Sequence, residues 1–410
     1  MSFREVGQEG AYSIGIAPQT ALNEEGASYE WIECALFEAD PEATQVDTPR
    51  GHQQYGADQA PLPGKEWNRL VLKGPVTGQL GAYNATSDTP DVKGLSRFLA
   101  FIGASSTIAY QLDGINPNDA NEISLVTSTG KYGCLILGNV SGDSTLARPL
   151  GFVKTLSGGG PYACTLFEDM FTQPENTDER LPTRTFYPSA YTGSTVAFSV
   201  RVTHDDAGQN TRHIGCVPTS VVLRVEDDRL MWEVSVIQLS KTLEDEQGDS
   251  GGLQAMTSIL AMSPATEGSY HPFNGVHCGA EDVVLRIDWG DPIITPGPYS
   301  QGAYQVTMRR PTVTAEVTIP KVSDFSDADG YHDLLTAWRT RTPVSLTGYH
   351  GIAAGRVLAW GLRSAHLSSI SRERMVRGRK CVVATLRAGA YTGDTASTDA
   401  GNKPFVIAVG

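Results

Sequence analysis

A serine set among glycines is the clearest candidate for covalent chemistry in this chain. Residues 247–252 read Gln-Gly-Asp-Ser-Gly-Gly, so Ser250 stands between Asp249 and two glycines, a setting in which backbone N–H groups could surround it. Such N–H groups can stabilise the oxyanion that forms when a serine attacks an acyl group. The serine also needs a histidine base and a buried acid that orients the histidine. The motif therefore raises one enzymatic hypothesis, a hydrolase built around Ser250.

The segment resembles the nucleophile loop of chymotrypsin-like proteases, but it departs from that loop in three ways. No histidine lies between His52 and His204, and neither has the Ala-Ala-His-Cys context of that family. Leu253 stands where a proline usually follows the glycine pair. About 160 residues follow the serine, whereas the family ends within a few dozen. We therefore favour a solvated Gly/Ser-rich linker, and we predict no catalytic residue and no enzymatic activity.

Metal-binding residue types occur in two short runs, His204-Asp205-Asp206 and His277-Cys278. A zinc site needs about four converging ligands, and no second pair with a recognised spacing accompanies either run. The chain also has no Gly-rich dinucleotide or phosphate loop. The sequence therefore predicts no metal site and no cofactor.

Two oppositely charged segments could bind each other or neighbouring copies of the chain. Residues 38–66 carry six acidic side chains against two basic ones and show no hydrophobic periodicity. The basic cluster is opposed only by Glu373 and consists of Arg363, Arg372, Arg374, Arg377, Arg379 and Lys380. One interpretation is a mobile loop and a solvated hairpin turn. The other is an acidic arm that becomes ordered against the basic hairpin of a neighbouring subunit.

The composition predicts a β-rich protein with many turns. The chain has 410 residues, with 43 Gly and 23 Pro, and Thr and Val recur in alternating runs. A formal net charge of −14 argues against a chain that grips nucleic-acid phosphates. The six cysteines are scattered, which is typical of free thiols in a reducing compartment. No apolar run is long enough to span a membrane and the start is polar, so we expect synthesis in the cytoplasm.

Two amphipathic helices, one in each half of the chain, should anchor the strands. The first is predicted over residues 91–103 with Leu95, Phe98, Leu99 and Ile102 on one face. The second is predicted over residues 327–339 with Tyr331, Leu334, Leu335 and Trp338. Each has an aspartate, Asp91 or Asp327, where an N-cap is expected. The helices lie 236 positions apart, which indicates a duplicated domain.

The flanking strands extend the duplication. At the same offset Leu70 and Leu72 align with Val306 and Met308, Pro75 with Pro311, and Ile108 and Tyr110 with Val344 and Leu346. A hairpin turning at residues 226–228 has its counterpart in the strands around Leu367 and Cys381, at an offset of about 146. We therefore predict a first domain over 1–245, with a long loop at 38–66 and an insertion at about 113–210. A linker over 246–270 and a second domain over 271–410 follow.

The strand, acidic turn and helix units around Leu95–Ile102 and Tyr331–Trp338, with the strand at residues 215–223, resemble the tail-tube proteins of long-tailed (siphovirus-type) bacteriophages. The resemblance implies two tandem β-sandwich or barrel domains, each with a flanking helix. It also implies that three chains form a pseudo-hexameric ring and that rings stack into a tube. Genomic DNA would pass through the tube without specific binding. Tape-measure, tail-terminator and tail-tip proteins would be partners, and the protein would reside in the virion.

Two other classes stay open. A carbohydrate- or surface-binding β-sandwich protein, such as a tail-tip, fibre-base or decoration component, predicts an aromatic-lined pocket, with Trp360, Tyr349 or Tyr391 as candidates. A hydrolase would lose its activity when Ser250 is changed to alanine. Neither class requires rings, so the self-association of the purified protein distinguishes both from the tail-tube hypothesis.

Overall fold

A computed structural model gives the fold. It describes residues 12–32, 36–46, 62–77, 94–115, 122–125, 133–140, 143–157, 162–167, 180–189, 196–204, 210–226, 229–240, 242–245, 272–273, 276–277, 282–296, 303–320, 331–351, 355–371, 374–376, 378–389 and 403–410. The chain is mainly β with few short helices, which confirms the predicted fold class.

The strands are numbered in chain order. The first half contains β1 (Tyr12–Gln19), β2 (Glu30–Ile32), β3 (Leu36–Val46), β4 (Leu62–Pro75), β5 (Gly103–Ile115), β6 (Glu122–Leu125), β7 (Leu135–Val140), β8 (Asp143–Ser157), β9 (Tyr162–Leu166), β10 (Arg180–Pro188), β11 (Ala197–His204), β12 (Asn210–Glu226), β13 (Arg229–Gln238) and β14 (Thr242–Asp245). The second half contains β15 (Pro272–Phe273), β16 (Val276–His277), β17 (Asp282–Asp288), β18 (Ile293–Pro296), β19 (Ala303–Thr307), β20 (Thr312–Pro320), β21 (Val344–His350), β22 (Leu358–Ile370), β23 (Arg374–Val376), β24 (Arg379–Ala388) and β25 (Phe405–Val409). The helices are α1 (Leu95–Leu99), which continues as a 3₁₀ turn (Ala100–Ile102), and α2 (Tyr331–Thr340).

One antiparallel sheet runs through both halves of the chain. Its strands are hydrogen-bonded in the order β3, β4, β13, β12, β17, β20, β24, β22, and we call it the long sheet. Strict alternation produces its two faces, as in β13, where Trp232, Val234 and Val236 are buried and the residues between them are half-exposed. The predicted hairpin is confirmed, because Glu226 pairs with Arg229 across the turn.

The long strands β12 and β22 each also belong to a second sheet. The early residues of β12 lie between β14 and β11, and β1 and β2 extend that sheet. The early residues of β22 lie between β21 and β25, and β10 and β5 extend the sheet beyond β25. Each half is therefore a pair of sheets that share one long strand, and the core lies between the two sheets.

Helix α1 fills the core of the first half. The Phe98 ring lies edge-on against Phe198 of β11 at 5.1 Å between ring centroids, and 5.9 Å from Trp232 of β13. The Trp232 indole N–H donates to the Pro75 carbonyl at 2.9 Å, which satisfies the one polar atom of this large buried side chain. All four residues of the predicted apolar face of this helix are buried, as expected: Leu95, Phe98, Leu99 and Ile102.

The helix ends differ from the prediction. Helix α1 begins at Leu95 after Gly94, whose φ of 75° is a left-handed conformation that suits glycine, and no side chain caps it. The predicted Asp91 cap is wrong, and Asp91 itself lies outside the described residues, as does Asp327. In α2 the prediction that Trp338 is buried is also wrong, because its side chain is 45% exposed while Ala337 is buried. Among the other described side chains of α2, Leu335 is half-buried, and those of Tyr331 and Leu334 lie outside the described part.

The predicted loop at 38–66 is wrong at both ends. Residues 36–46 and 62–75 form the β3–β4 hairpin, in which Val46 pairs with Leu62. Backbone hydrogen bonds hold such a hairpin whatever its side-chain pattern, so the absence of periodicity did not exclude strands. Residues 47–61 lie outside the described residues.

The segment added to the first half has different bounds from the predicted insertion at 113–210. Strands β6 to β9 pair with one another and with β5, as expected for added structure. However, β10 pairs with β25 of the second half, and β11 pairs with β1 and β12 of the first sheet pair. Strand β11 occupies the place beside β12 that β21 occupies beside β22. The added segment therefore begins with β5 and ends before β11.

Strand pairing continues across the predicted boundary between the two domains. Within the described parts of the chain, twenty-three strands are connected by hydrogen-bonded pairing, and the β18–β19 hairpin pairs only within itself. The predicted linker at 246–270 lies outside the described residues, so the division of the chain into two domains stays a prediction. No helix in the described part of the chain has the length and apolar character needed to cross a bilayer.

Candidate assembly interface

The two halves of the chain join edge to edge at β12 and β17. Ser220 pairs with Asp288 and Leu223 pairs with Leu285, and beyond the strand the Trp289 N–H donates to the Thr219 carbonyl at 2.9 Å. Leu223 and Leu285 are buried beneath this junction. The junction therefore has both a hydrogen-bond ladder and an apolar face, as neighbouring strands within one sheet do.

The same four-strand pattern lies on each side of this junction. Strands β3, β4, β13 and β12 on one side correspond in order and pairing to β17, β20, β24 and β22 on the other. Pro75, the last residue of β4, pairs with Met231, and Pro320, the last residue of β20, pairs with Cys381. The corresponding prolines are thus Pro75 and Pro320, and the sequence alignment of Pro75 with Pro311 is wrong.

Each half also has the same irregularity in its shared long strand. The register between β12 and β13 shifts at Thr219, and the register between β22 and β24 shifts at Ser368. In both cases the hydroxyl of the extra residue donates to a carbonyl of the opposite strand: Thr219 to Ser235 at 3.1 Å and Ser368 to Thr385 at 3.0 Å. A β-bulge is specific enough to mark equivalent positions. Ser368 therefore corresponds to Thr219.

A second pair of bulges identifies which strand beside β12 corresponds to which strand beside β22. The β11–β12 register shifts between Phe198 and Val200, and the β21–β22 register shifts between Val344 and Leu346. The alignment of Ile108 and Tyr110 with Val344 and Leu346 is therefore wrong, because β11, not β5, is the counterpart of β21. Sequence comparison missed this because the added strands separate β11 from α1.

The long sheet ends in two open edges within the described residues. Strand β3 has a hydrogen-bonded neighbour only in β4, and residues 366–370 of β22 have one only in β24. Pro41 lies in β3, and proline is tolerated in sheets mainly at edges, where its missing N–H breaks no ladder within the chain. His366, Ser368 and Ser369 of β22 are exposed. These open strands are the counterparts of β17 and β12, the two strands that meet at the internal junction.

The outward face of the long sheet is closely balanced in charge. Its described side chains include six basic residues, Arg69, Lys73, Arg224, Arg229, Arg286 and Arg387, and five acidic ones, Glu226, Glu233, Asp282, Asp288 and Glu316. Ion pairs join Lys73 to Glu226 at 2.6 Å and Arg224 to Glu233 at 3.0 Å. The hydrogen bond from Lys73 holds the pKa of Glu226 below its usual value. The excess negative charge of the chain is not located on the described part of this face.

The residues that the sequence suggested for catalysis, metal binding or an aromatic pocket are buried, lie within strands, or lie outside the described residues. Ser250, Asp205, Asp206, Cys278 and Tyr391 are outside the described residues. Trp360 and Tyr349, the candidates for an aromatic pocket, are 2% and 5% exposed and belong to the core, so that expectation is wrong for both. His204 and His277 lie in strands β11 and β16. Among the described residues no three His, Cys, Asp or Glu side chains gather where they could hold a metal ion.

Arg363 does not belong to the basic surface cluster. Its side chain is only 9% exposed, stacks over the Phe167 ring at 3.9 Å and donates to the Gly133 carbonyl at 3.2 Å. It thus fastens the added strands to β22. Arg374 lies in β23, Arg379 and Lys380 lie in β24, and Arg372 and Arg377 are outside the described residues. Of these residues, Lys380 is the one with a described side chain, and it is exposed.

Several titratable groups are buried in the core. Burial raises the pKa of the Cys164 thiol to about 12 and lowers that of His350 to about 4. It also lowers the pKa of His213, which contacts the Gln238 amide oxygen at 3.0 Å. The described cysteines, Cys134, Cys164, Cys216 and Cys381, are buried free thiols. Such inert thiols fit a structural role better than a nucleophilic one.

Comparison with known proteins gives no further identification. No protein-family model matches the chain, and no curated protein is significantly similar to it in sequence.

Proposed function

We propose that this chain is a structural subunit of a bacteriophage-type tail tube. Three copies close into a ring through their open sheet edges, and rings stack into a conduit for DNA. The observation that carries the proposal is the β12–β17 junction, because it joins two equivalent four-stranded units head to tail. Three chains then supply six such units to one ring.

The open edges are the counterparts of the joined ones, so one geometry serves both junctions. A heterologous contact that repeats around an axis closes into a ring if the rotation between units fits. Within the chain, β17 pairs with one edge of β12. Between chains, β3 of the next copy pairs with the corresponding edge of β22. Ring closure also removes the exposed sheet edges, which otherwise promote aggregation.

The bulges predict the register between copies. Ser369 and Glu42 occupy the places that Ser220 and Asp288 hold at the internal junction. A copy joined in this register places Ser369 directly opposite Glu42 of its neighbour. Pro41 supplies no N–H to the new ladder, so we expect the junction between copies to be weaker than the internal one.

The outward face of the long sheet would form the lumen. Its six described basic side chains are nearly offset by five acidic ones, and ion pairs neutralise Lys73 and Arg224. A lumen with so small a net charge holds phosphate weakly, so DNA can slide. The charge balance of this face supports the passage of DNA. The net charge of −14 belongs to the chain as a whole and is not evidence about this face.

The test combines oligomer size with a directed cross-link. The purified protein is studied by light scattering and negative-stain microscopy across concentration, and we expect three-fold rings or hollow stacked tubes. A chain with Ser369→Cys and Glu42→Cys, made in a Cys34→Ser and Cys278→Ser background, is then oxidised. We expect disulfide-linked dimers and trimers on a non-reducing gel, and no larger closed species.

Two controls make this test specific. Ser369→Cys alone should give at most dimers, and Ser369→Cys with Glu38→Cys moves the partner four residues, about 13 Å, along β3 and should not cross-link. A protein that stays monomeric at high concentration contradicts the proposal. No described feature favours the hydrolase or the surface-binding alternative. Tape-measure, tail-terminator and tail-tip proteins as partners, and the virion as location, stay predictions.

A further inference from the structure

We propose that Trp338 is the apolar anchor by which each copy of the chain holds the next copy in the ring. The side chain lies in the last turn of α2 and is 45% exposed, and it is the largest exposed apolar side chain among the described residues. The partner that covers it is a second copy of this chain. The inference rests on the proposed function, because it names a contact at the junction between copies.

The internal junction shows what lies beside the end of such a helix. Along one edge of β12, β11 is the neighbour up to Cys216 and β17 is the neighbour from Ser220 onward, while β13 and β14 occupy the other edge. The end of β17 therefore lies beside the start of β11. The turn after α1 reaches the same place, because the Phe101 carbonyl accepts the indole N–H of Trp289 at 3.1 Å.

Strand β22 has the same two stretches along the corresponding edge, but its second stretch is open. It pairs with β21 up to Ala365, whose partner is Val344, and among the described strands residues 366–370 have a neighbour only in β24. In the proposed ring β3 of the next copy fills this stretch, so its end lies beside the start of β21. Helix α2 ends at Thr340, four residues before Val344, and therefore within about 14 Å of that meeting point.

The ends of the two helices correspond, but only one of them is covered. At the offset of 236 that aligns the helices, Phe101 corresponds to Ala337 (337 − 101 = 236). Ile102 then corresponds to Trp338. Three of these four side chains are buried, and Trp338 is the exposed one. Trp289 of the second half contacts the turn after α1, whereas the corresponding neighbour of α2 belongs to the next copy.

The residue types at the two junctions differ in a matching way. In the register of the proposed junction, Ala43 of β3 takes the place of Trp289. An alanine offers no indole N–H, but the Ala337 carbonyl needs none, because it already accepts the Thr342 N–H at 3.0 Å. The tryptophan is thus on the strand at the internal junction and on the helix at the junction between copies.

Truncation of the Trp338 side chain tests the anchor. Trp338→Ala should raise the protein concentration at which half of the chains are in rings by about tenfold or more, because tryptophans buried in an interface carry much of the binding energy. Ile293→Ala is the matched control, since that side chain is 58% exposed in β18, on the β17 side of the second half, and should leave ring formation unchanged. Light scattering measures ring formation, and circular dichroism checks that both variants are folded.

Hydroxyl-radical footprinting gives a second readout that needs no variant. The radicals oxidise exposed side chains, and mass spectrometry of the digested protein locates the oxidised residues. When rings form, we expect oxidation of Trp338 to fall by about fivefold or more, because the surrounding contacts exclude water from such an anchor. Oxidation of Ile293 should be the same in rings and in the single chain.

The outcomes separate this proposal from the one on which it rests. Unmodified protein that forms no rings overturns both. Rings in which Trp338 is oxidised as fast as in the single chain overturn the anchor alone, and so do rings of Trp338→Ala that form at the unmodified concentration. Protection that appears only when rings stack into tubes would place the contact between rings and would also overturn it. If Trp338→Ala does not fold, the footprint of the unmodified protein decides.

Discussion

The indole N–H of Trp289 donates a hydrogen bond to the Phe101 carbonyl at 3.1 Å, and both residues are buried. Trp289 follows β17 of the second half, and Phe101 lies in the 3₁₀ turn after α1 of the first half. The two halves are therefore connected by a buried polar contact in addition to the sheet junction. A carbonyl that loses its donor in such a place cannot recover it from water.

We expect Trp289→Phe to lower the free energy of unfolding by about 1–3 kcal/mol. The smaller phenyl ring leaves part of the indole's space empty, and the Phe101 carbonyl loses the hydrogen bond from the indole N–H. Urea denaturation followed by circular dichroism measures the change. Trp338→Phe is the matched control, since that side chain is 45% exposed and should change stability by less than about 0.5 kcal/mol. Equal effects of the two substitutions would contradict the role of the hydrogen bond.

We expect Arg363→Met to loosen the added strands from the second half. The substitution keeps much of the apolar stem but removes the contact with Phe167 and the hydrogen bond to Gly133, a loss of about 2–3 kcal/mol. Urea denaturation and limited proteolysis between β6 and β9 report it. Arg387→Met, on an exposed position of β24, is the control. Unchanged protease resistance in Arg363→Met would show that packing alone holds these strands.

Stability should fall on acidification because of His350. Its pKa is about 6.5 in the unfolded chain and about 4 in the folded one, so between these values only the unfolded chain binds the proton. The free energy of unfolding therefore decreases as pH falls from about 6.5 to about 4, by up to about 3 kcal/mol. His350→Gln removes this part of the pH dependence; if the slopes of the two proteins coincide, the histidine is not the cause.

Gly351 should tolerate no side chain. Its φ is +88°, and a Cβ there would lie 1.9 Å from the Arg356 carbonyl oxygen. Gly290 has a φ of +64° but nothing within 4 Å of the same position. We expect Gly290→Ala to lose about 1 kcal/mol from backbone strain, and Gly351→Ala to lose more than about 3 kcal/mol. Similar midpoints in thermal unfolding would contradict the predicted clash.

The local features of the fold could be predicted because short-range patterns determine them. Alternation in β13 and the turn after Glu226 gave a hairpin, and the spacing of Leu95, Phe98 and Ile102 gave a buried helical face. Strand β3 could not be found this way, because backbone pairing leaves no side-chain period in an acidic segment. The exposure of Trp338 depends on how α2 is rotated against β22, which its own sequence does not fix.

The candidate interface was harder to predict than the elements that form it. The equivalence of Thr219 and Ser368 lies in two β-bulges, each of which shifts the register by one residue. Pro75 and Pro320 lie 320 − 75 = 245 positions apart, whereas the comparison used the helix offset of 236, so it aligned Pro75 with Pro311. The sequence likewise identified a basic cluster that includes Arg363, but it could not show on which side of β22 each residue lies. The burial of Arg363 was therefore not predicted.

The pairing of β10 with β25 has a consequence for how the molecule acquires its structure. Thr185 pairs with Ala408, more than two hundred residues later in the chain. Contacts between such distant segments form slowly, because a long loop must close first. During synthesis, β10 leaves the ribosome long before its partner exists. A subunit whose second half lacks β25 cannot complete that sheet, so the order of translation delays the assembly-competent state until these late residues are made.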